Sequence, residues 1–444
     1  MLRRKAVDEI AAWHASNRAP GLLLTGARQV GKTTAVRTFA HESGLDLAEV
    51  NFYENRDAVQ LVSEARDTDD LLFRLSVLTR TRIDPENTLL FLDEIQECQD
   101  IVTWVKFLAE RHGLRTVLSG SLLGIDAFVH VRSLPIGYLQ TIEMFPLDFE
   151  EFCWASGMPD DTLDHALEDV RTDEKVSEFL HDRLSRLFDR FLLVGGMPAG
   201  VQAFVDTAQI APVREIHRGI FALYESDIAK YVRDKTEARK IKMVYEAIPG
   251  QLNAPSKRFK YARLGKDLRF ADMETAFDWL AAAGVAICAT RTRGVDFPLG
   301  LLEDRASLKL FMNDVGLLTS RFMGNVEVEV LAGRSTINYG SIYENYVAQE
   351  LRAQGFTPRY YSSKSVGEVD FMVEDTDRGK AVPIEVKSGK DYKRHSALTN
   401  LLRNPDAPRR ACVLCNRNAS RSGGLLYLPV YLCGRIRHIE WLWE

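Results

Sequence analysis

Gly26-Ala27-Arg28-Gln29-Val30-Gly31-Lys32-Thr33 decides the fold of this chain. The stretch follows Gly21-Leu22-Leu23-Leu24, which reads as a buried strand. It precedes Thr34-Ala35-Val36-Arg37-Thr38-Phe39-Ala40, which reads as a helix. Strand, glycine-bounded loop, lysine and hydroxyl in that order have the spacing of a phosphate-binding loop, the Walker A pattern. Glycine lets the backbone curl so that successive N–H groups point at phosphate oxygens. The helix start adds unpaired N–H groups and a favourable dipole. Residues 26–34 are therefore expected to cradle a nucleoside triphosphate. Lys32 would reach the β- and γ-phosphates, and Thr33 would place its hydroxyl on a magnesium ion. A ligand-free glycine turn is the bland alternative, and the agreement of four features argues against it.

A second stretch completes that reading. Thr88-Leu89-Leu90-Phe91-Leu92-Asp93-Glu94 is an apolar run ending in two acids. A continuous apolar run suits a central strand of a parallel sheet buried on both faces, and such sheets place ligands at the carboxyl ends of their strands. Asp93 is expected to hold magnesium and Glu94 to orient or deprotonate the attacking water. A further strand over 114–118 ends at Ser119-Gly120-Ser121, so Ser119 or Ser121 is a candidate sensor of the γ-phosphate. An ordinary strand-end serine is the competing reading. Leu118-Ser119-Gly120-Ser121 hints at the transporter ATPase signature, but it follows the acidic strand instead of preceding it, which excludes that class. No Asn-Lys-x-Asp guanine-reading motif occurs, so ATP is preferred over GTP.

These stretches, with Pro146-Leu147-Asp148-Phe149-Glu150-Glu151-Phe152 and Gly195-Gly196-Met197-Pro198, resemble one group of prokaryotic AAA+ ATPases. The resemblance runs almost from end to end. It implies an N-terminal ATPase followed by an uncharacterised C-terminal domain, with homo-oligomerisation left open. Such sequences usually carry Gly-Arg where this one has Gly137-Tyr138. Arg132 is nearby, without an assigned role. Asp227 also fits the group's pattern, without a chemical role.

The chain has 444 residues, room for about three ordinary domains. Apolar residues are 46% and charged residues 27%, as in soluble globular proteins, and a net charge of −5 does not announce a nucleic-acid binder. The basic start, Met1-Leu2-Arg3-Arg4-Lys5, is not followed by an apolar signal core; residues 6–16 read as an amphipathic helix with Ile10 and Trp13 inward. No apolar run could span a bilayer. Six scattered cysteines fit a reducing cytoplasm, and Cys412-Val413-Leu414-Cys415 reads as a buried strand, not a zinc ligand pair.

Residues 148–175 are strongly acidic and read as a solvated helical surface. Helices over about 178–232 are expected to form a lid or stalk on the ATPase core. A helix over 241–248, a turn, residues 261–268, a helix over 273–283 and a strand over 285–289 suggest a winged helix-turn-helix. Lys257, Arg258, Lys260, Arg263, Lys266 and Arg269 cluster before the second helix, yet that helix carries Asp272, Glu274 and Asp278. Acids at a groove-facing end repel phosphate, which favours protein packing over DNA reading.

Four residues carry the end of the chain: Glu344 on a helix, Asp370 in one strand, and Glu385 and Lys387 in the next. Period-two alternation puts Glu385 and Lys387 on one face. This layout resembles PD-(D/E)xK nucleases, with Val369 where proline is usual. The resemblance implies an α/β nuclease-like domain in which Glu344, Asp370 and Glu385 hold a second Mg2+ or Mn2+ and Lys387 assists at the scissile phosphate. Cleavage, or binding by a relic site, stays open.

The expected architecture is α/β. A P-loop AAA+ core spans 1–147, a helical lid or linker 148–235, a winged-helix-like domain 236–335 and a nuclease-like domain 336–444. The expected function is ATP binding and hydrolysis coupled to a nuclease-like domain that acts on DNA or RNA. The alternative is a regulatory ATP switch that binds a protein partner through an inactive tail.

Overall fold

The computed structural model describes residues 2–16, 19–120, 137–322, 340–405 and 407–444. Ser121 and Arg132 lie outside them. The chain divides into two compact units, Met1–Phe145 with Ala282–Gly284, and Pro146–Ala281 with Val285–Glu444.

In the first unit the long apolar runs become strands. They are β1 (Gly21–Gly26), β2 (Asp46–Asn51), β3 (Thr88–Asp93), β4 (Thr116–Ser119) and β5 (Leu139–Met144). All pairings are parallel, in the order β2-β3-β4-β1-β5. β1, β3 and β4 are buried along their whole length. Leu90, Leu92 and Leu118 pack with Leu71 and Leu75 of helix Thr68–Thr79 and with Val102, Val105 and Leu108 of helix Ile101–His112. At about 1.5–3 kcal/mol for each fully buried large side chain, this layer fixes where the strands end. Gly26, Asn51, Asp93 and Ser119 are those ends. Gly26 has φ +136°, and a Cβ there would lie 2.2 Å from the Met144 carbonyl oxygen, so only glycine fits.

The second unit starts with helices and ends in a mixed sheet. Helices Phe149–Ala155, Thr162–Arg171, Glu178–Val194, Pro198–Thr207, Ile210–Tyr231 and Lys235–Leu252 come first, then Phe270–Ala282. The strands are β6 (Ala286–Thr292), β7 (Glu303–Met312), β8 (Arg359–Ser363), β9 (Gly367–Asp375), β10 (Lys380–Lys387), β11 (Ala411–Cys415), β12 (Ser420–Ser422) and β13 (Leu425–Pro429). Their order is β12-β13-β11-β10-β9-β8-β6-β7.

The helices read as a lid or linker bury an apolar stripe inside the second unit. Phe188 and Phe191 of helix Glu178–Val194 meet Tyr346 of helix Gly340–Ala353, with the Phe188 and Tyr346 rings 4.7 Å apart. The strands read as a wing, β6 and β7, extend the C-terminal sheet, because β6 pairs in parallel with β8. Leu308, Leu310, Phe311 and Met312 are all buried, which a two-stranded wing in water could not achieve. The expected division at 335/336 therefore falls inside one continuous sheet.

The Gly195-Gly196 pair has a packing reason. A Cβ on Gly196 would lie 1.9 Å from the Leu147 carbonyl oxygen. Gly196 N–H donates to the buried Asp314 carboxylate at 2.5 Å, and Leu317 N–H donates to it at 2.9 Å.

Candidate functional site

The loop after β1 carries left-handed residues at Gln29 (φ 68°) and Gly31 (φ 96°), and helix Lys32–Glu42 begins directly after it. The Lys32 ammonium folds back over the loop and donates to the carbonyls of Gly26 and Ala27, each at 3.0 Å. Burial pushes its pKa down to about 8, with Glu94 and Asp93 acting against that shift and Arg28 adding to it. A buried ammonium lowered in this way gains strongly from an anion beside it.

Asp93, at the end of β3, is the centre of the site. Its Oδ2 accepts from Thr33 Oγ1 at 3.0 Å and from Asn51 Nδ2 at 3.2 Å. Its Oδ1 accepts from Ser119 Oγ and from Glu94 N–H at 3.1 Å. These donors are neutral. Thr33 and Asp93 offer the hard oxygen set that magnesium prefers, so the residues fit the ion. Glu94 has a left-handed backbone, φ 56°, of the kind that concentrates at working sites. Its carboxylate accepts from Gln96 and lies 4.0 Å from the Arg28 guanidinium. The structure thus gathers Lys32, Thr33, Asp93, Glu94 and Ser119. Sequence reasoning missed Asn51. Its signal is position, since it ends β2 opposite Asp93 in the parallel register. Tyr138, where the resembling sequences carry arginine, donates to Glu110 and stacks under Lys106, 5.3 Å from its ring centre.

The second unit holds another charged centre. Lys309 on β7 is fully buried, and its ammonium lies 3.0 Å from Glu368, 3.3 Å from Glu344 and 3.8 Å from Asp370. Lys257 pairs with Glu344, and Arg258 donates to Glu368 at 2.7 Å. Lys387 donates to Glu385 at 2.8 Å, and Val386 N–H donates to Asp370 at 2.9 Å. Burial lowers the Lys309 ammonium's preference for charge, but Glu344, Asp370 and Glu368 outweigh it and raise its pKa. Burial, Glu344 and Glu385 push Asp370 well above the ordinary carboxylate range, against Lys309 and Lys257.

Glu344, Asp370, Glu385 and Lys387 do come into one neighbourhood, but the expected metal set does not form. No group of three or more His, Cys, Asp or Glu side chains is placed to hold a metal ion among the described residues. The physical reason is that lysine ammoniums already pair with Glu344, Asp370 and Glu385. A divalent ion does not fit this arrangement. Lys309 and Glu368 were missed in the sequence. The signal for Lys309 is a lone lysine in the apolar run Leu308-Lys309-Leu310-Phe311. The signal for Glu368 is its place two residues before Asp370, on the same strand face.

The first site and its sheet define a P-loop domain of the AAA+ class. Residues 18–153 match a family described as an AAA domain, and this part of the chain is an ATP-binding AAA-type ATPase domain. Residues 185–325 and 339–432 match two families, each described as a domain of unknown function (DUF8612 and DUF4143). No curated protein matches the chain. Among solved structures, a Walker-type ATPase of Pyrococcus abyssi is similar at 12% identity and a TM-score of 0.42, over 73% of this chain and 96% of that one. The ORC1 protein of Aeropyrum pernix in complex with DNA is similar at 12% identity and a TM-score of 0.28, over 72% and 92%. The Hsp104–ADP complex of S. cerevisiae is similar at 12% identity and a TM-score of 0.30, over 80% of this chain and 44% of that one. Among the described residues no helix is long and apolar enough to cross a membrane.

Proposed function

We propose that the chain is an ATP-hydrolysing switch whose nucleotide cycle governs the C-terminal unit, and that this unit binds a partner without cutting it. The observation that carries the hydrolytic half is Asp93, held by Thr33, Asn51 and Ser119 beside a buried Lys32. The loop N–H groups of residues 27–34 and Lys32 would hold the phosphates, and Thr33 and Asp93 the magnesium. Bound magnesium supplies charge neutralisation at the phosphates. Glu94 would orient or deprotonate the water. Ser119 is the polar group between acid and γ-phosphate.

For the C-terminal unit two readings compete. One is metal-dependent cleavage of DNA or RNA by Asp370, Glu385 and Lys387. The other is docking through an inactive nuclease-like unit. Docking is favoured because Lys257 and Arg258, two residues of the basic cluster before helix Phe270–Ala282, turn onto Glu344 and Glu368. Glu274 and Asp278 of helix Phe270–Ala282 are likewise taken by Arg305. Lys260, Arg263, Lys266 and Arg269 stay exposed, so nucleic acid is tested beside protein as the partner. The free cysteines support a cytoplasmic setting. Sedimentation with and without ATP tests homo-oligomerisation.

The deciding experiment measures ATP turnover with and without DNA or RNA, beside a manganese cleavage assay on the same preparation. The expected result is magnesium-dependent turnover and no cleavage. Cleavage that disappears in Asp370→Ala would restore the nuclease reading. Turnover stimulated by nucleic acid would make nucleic acid the docked partner.

A further inference from the structure

Lys309 sits where a cation site would be built. Three carboxylates surround its ammonium. The ring centres of Tyr360 and Phe371 lie 5.2 Å and 5.9 Å away, faces that also favour positive charge. The cation, however, is tethered. Lys309 is itself wholly buried beside the Tyr360 and Phe371 rings, so its ammonium cannot reach water without displacing its neighbours.

Basic groups are as numerous here as acids, and Asp370 is pushed toward its neutral form. Glu344, Glu368, Asp370 and Glu385 stand against Lys257, Arg258, Lys309 and Lys387. A divalent ion added to this set would bring surplus positive charge into buried space, where unpaired charge is costly. The Glu385 Oε2 atom is buried without a hydrogen-bond partner, but Mg2+ or Mn2+ would also need the Glu344 or Asp370 carboxylate and room for its bound waters, and lysine ammoniums already lie beside those acids. We infer that Lys309 is the resident cation of this cluster, built into β7 in the place of a metal ion, and that the C-terminal unit is a metal-independent module. This refines the reading that the unit binds instead of cutting. It concerns metal affinity alone, so its test is separate from ATP turnover and from cleavage.

The test is a manganese titration of the nucleotide-free full chain, followed by the EPR signal of free Mn2+ and by thermal unfolding. The wild type should show no Mn2+ site that depends on Asp370. Lys309→Ala removes the tethered cation and leaves a carboxylate surplus, so it should gain a site. Mn2+ at about a hundred times its dissociation constant should then raise the variant's Tm by about 5 °C. Lys309→Ala combined with Asp370→Asn should lose that gain. If Lys309→Ala folds only when Mn2+ is present and not in EDTA, the inference also holds. One tightly bound Mn2+ in the wild type, abolished by Asp370→Asn, overturns it. The wild-type measurement decides the matter even if the variant does not fold at all.

Discussion

Two buried lysines, one in each unit, sit in opposite electrostatic settings. Lys32 donates to two backbone carbonyls, and burial holds its pKa down at about 8. Lys309 lies among three carboxylates that raise its pKa. The first ammonium is poised to gain an anion, and the second already has its anions. The carboxylates mirror this. Asp93 takes its hydrogen bonds from neutral donors and stays free to meet a cation, whereas Glu344 is paired with two lysines. One arrangement is built for exchange of ligands and the other for permanence.

The largest effect should come from removing the anion-seeking lysine. Lys32→Ala deletes about two charge-assisted contacts to phosphate, worth roughly 1.5–3 kcal/mol each, so ATP affinity should fall at least about a hundredfold. Fluorescent-nucleotide titration measures this. An unchanged dissociation constant would show that Lys32 is not the phosphate ligand, and the contrast between the lysines would collapse.

The contrast sharpens when both lysines are changed to the same apolar residue. Lys309→Met leaves buried carboxylates uncompensated and should cost about 3–5 kcal/mol of stability. Lys32→Met removes a charge that burial already disfavours, so the nucleotide-free protein should stay within about 1 kcal/mol of wild type. Urea unfolding of the two variants reads both numbers. Equal losses would mean that burial alone, not pairing, sets the role of each lysine.

Much of the first centre was legible in the sequence. A short loop, an apolar strand and its terminal acids are local features, and parallel pairing brings Gly26, Asp93 and Ser119 to one edge whatever the remainder does. Asn51 was not legible, because its role depends on β2 lying beside β3. The second centre was legible only in its acids. Glu344, Asp370, Glu385 and Lys387 follow from local pattern, but Lys309 arrives through a strand some sixty residues from Asp370, and Lys257 through a turn further upstream. Their pairing follows from β6 joining β8, a long-range parallel contact that no local periodicity encodes. The packing partners of the expected wing and lid were illegible for the same reason. Alternation and helical stripes say that a face is buried, not which partner buries it.

Glu94 tests whether the exchangeable centre also turns over. Glu94→Gln keeps the shape and the Gln96 contact but removes the base, so ATP should remain bound while hydrolysis slows by roughly a hundredfold, about 2.7 kcal/mol in the barrier. Turnover at the wild-type rate would move the water-activating role to another residue and leave the loop a binding site only.

The smallest effect is a pH dependence that separates the two lysines without any mutation. Lys32 has its pKa lowered from 10.5 to about 8, so above about pH 8 the nucleotide-free protein carries it neutral. Phosphate needs the ammonium, so ATP binding must take up a proton in that window. Affinity should fall by at most about tenfold per pH unit as pH rises beyond 8. Stability moves the other way. A depressed lysine pKa means that the folded form suffers from the charge below about 8 and recovers as pH rises toward 10.5. Lys309, shifted upward, keeps its charge through the same window and contributes neither trend. Calorimetric ATP titrations in two buffers of different ionisation enthalpy count the proton directly. Buffer-independent binding enthalpy between pH 8 and 9.5 would mean that Lys32 is already fully charged before ATP arrives, paired as firmly as Lys309.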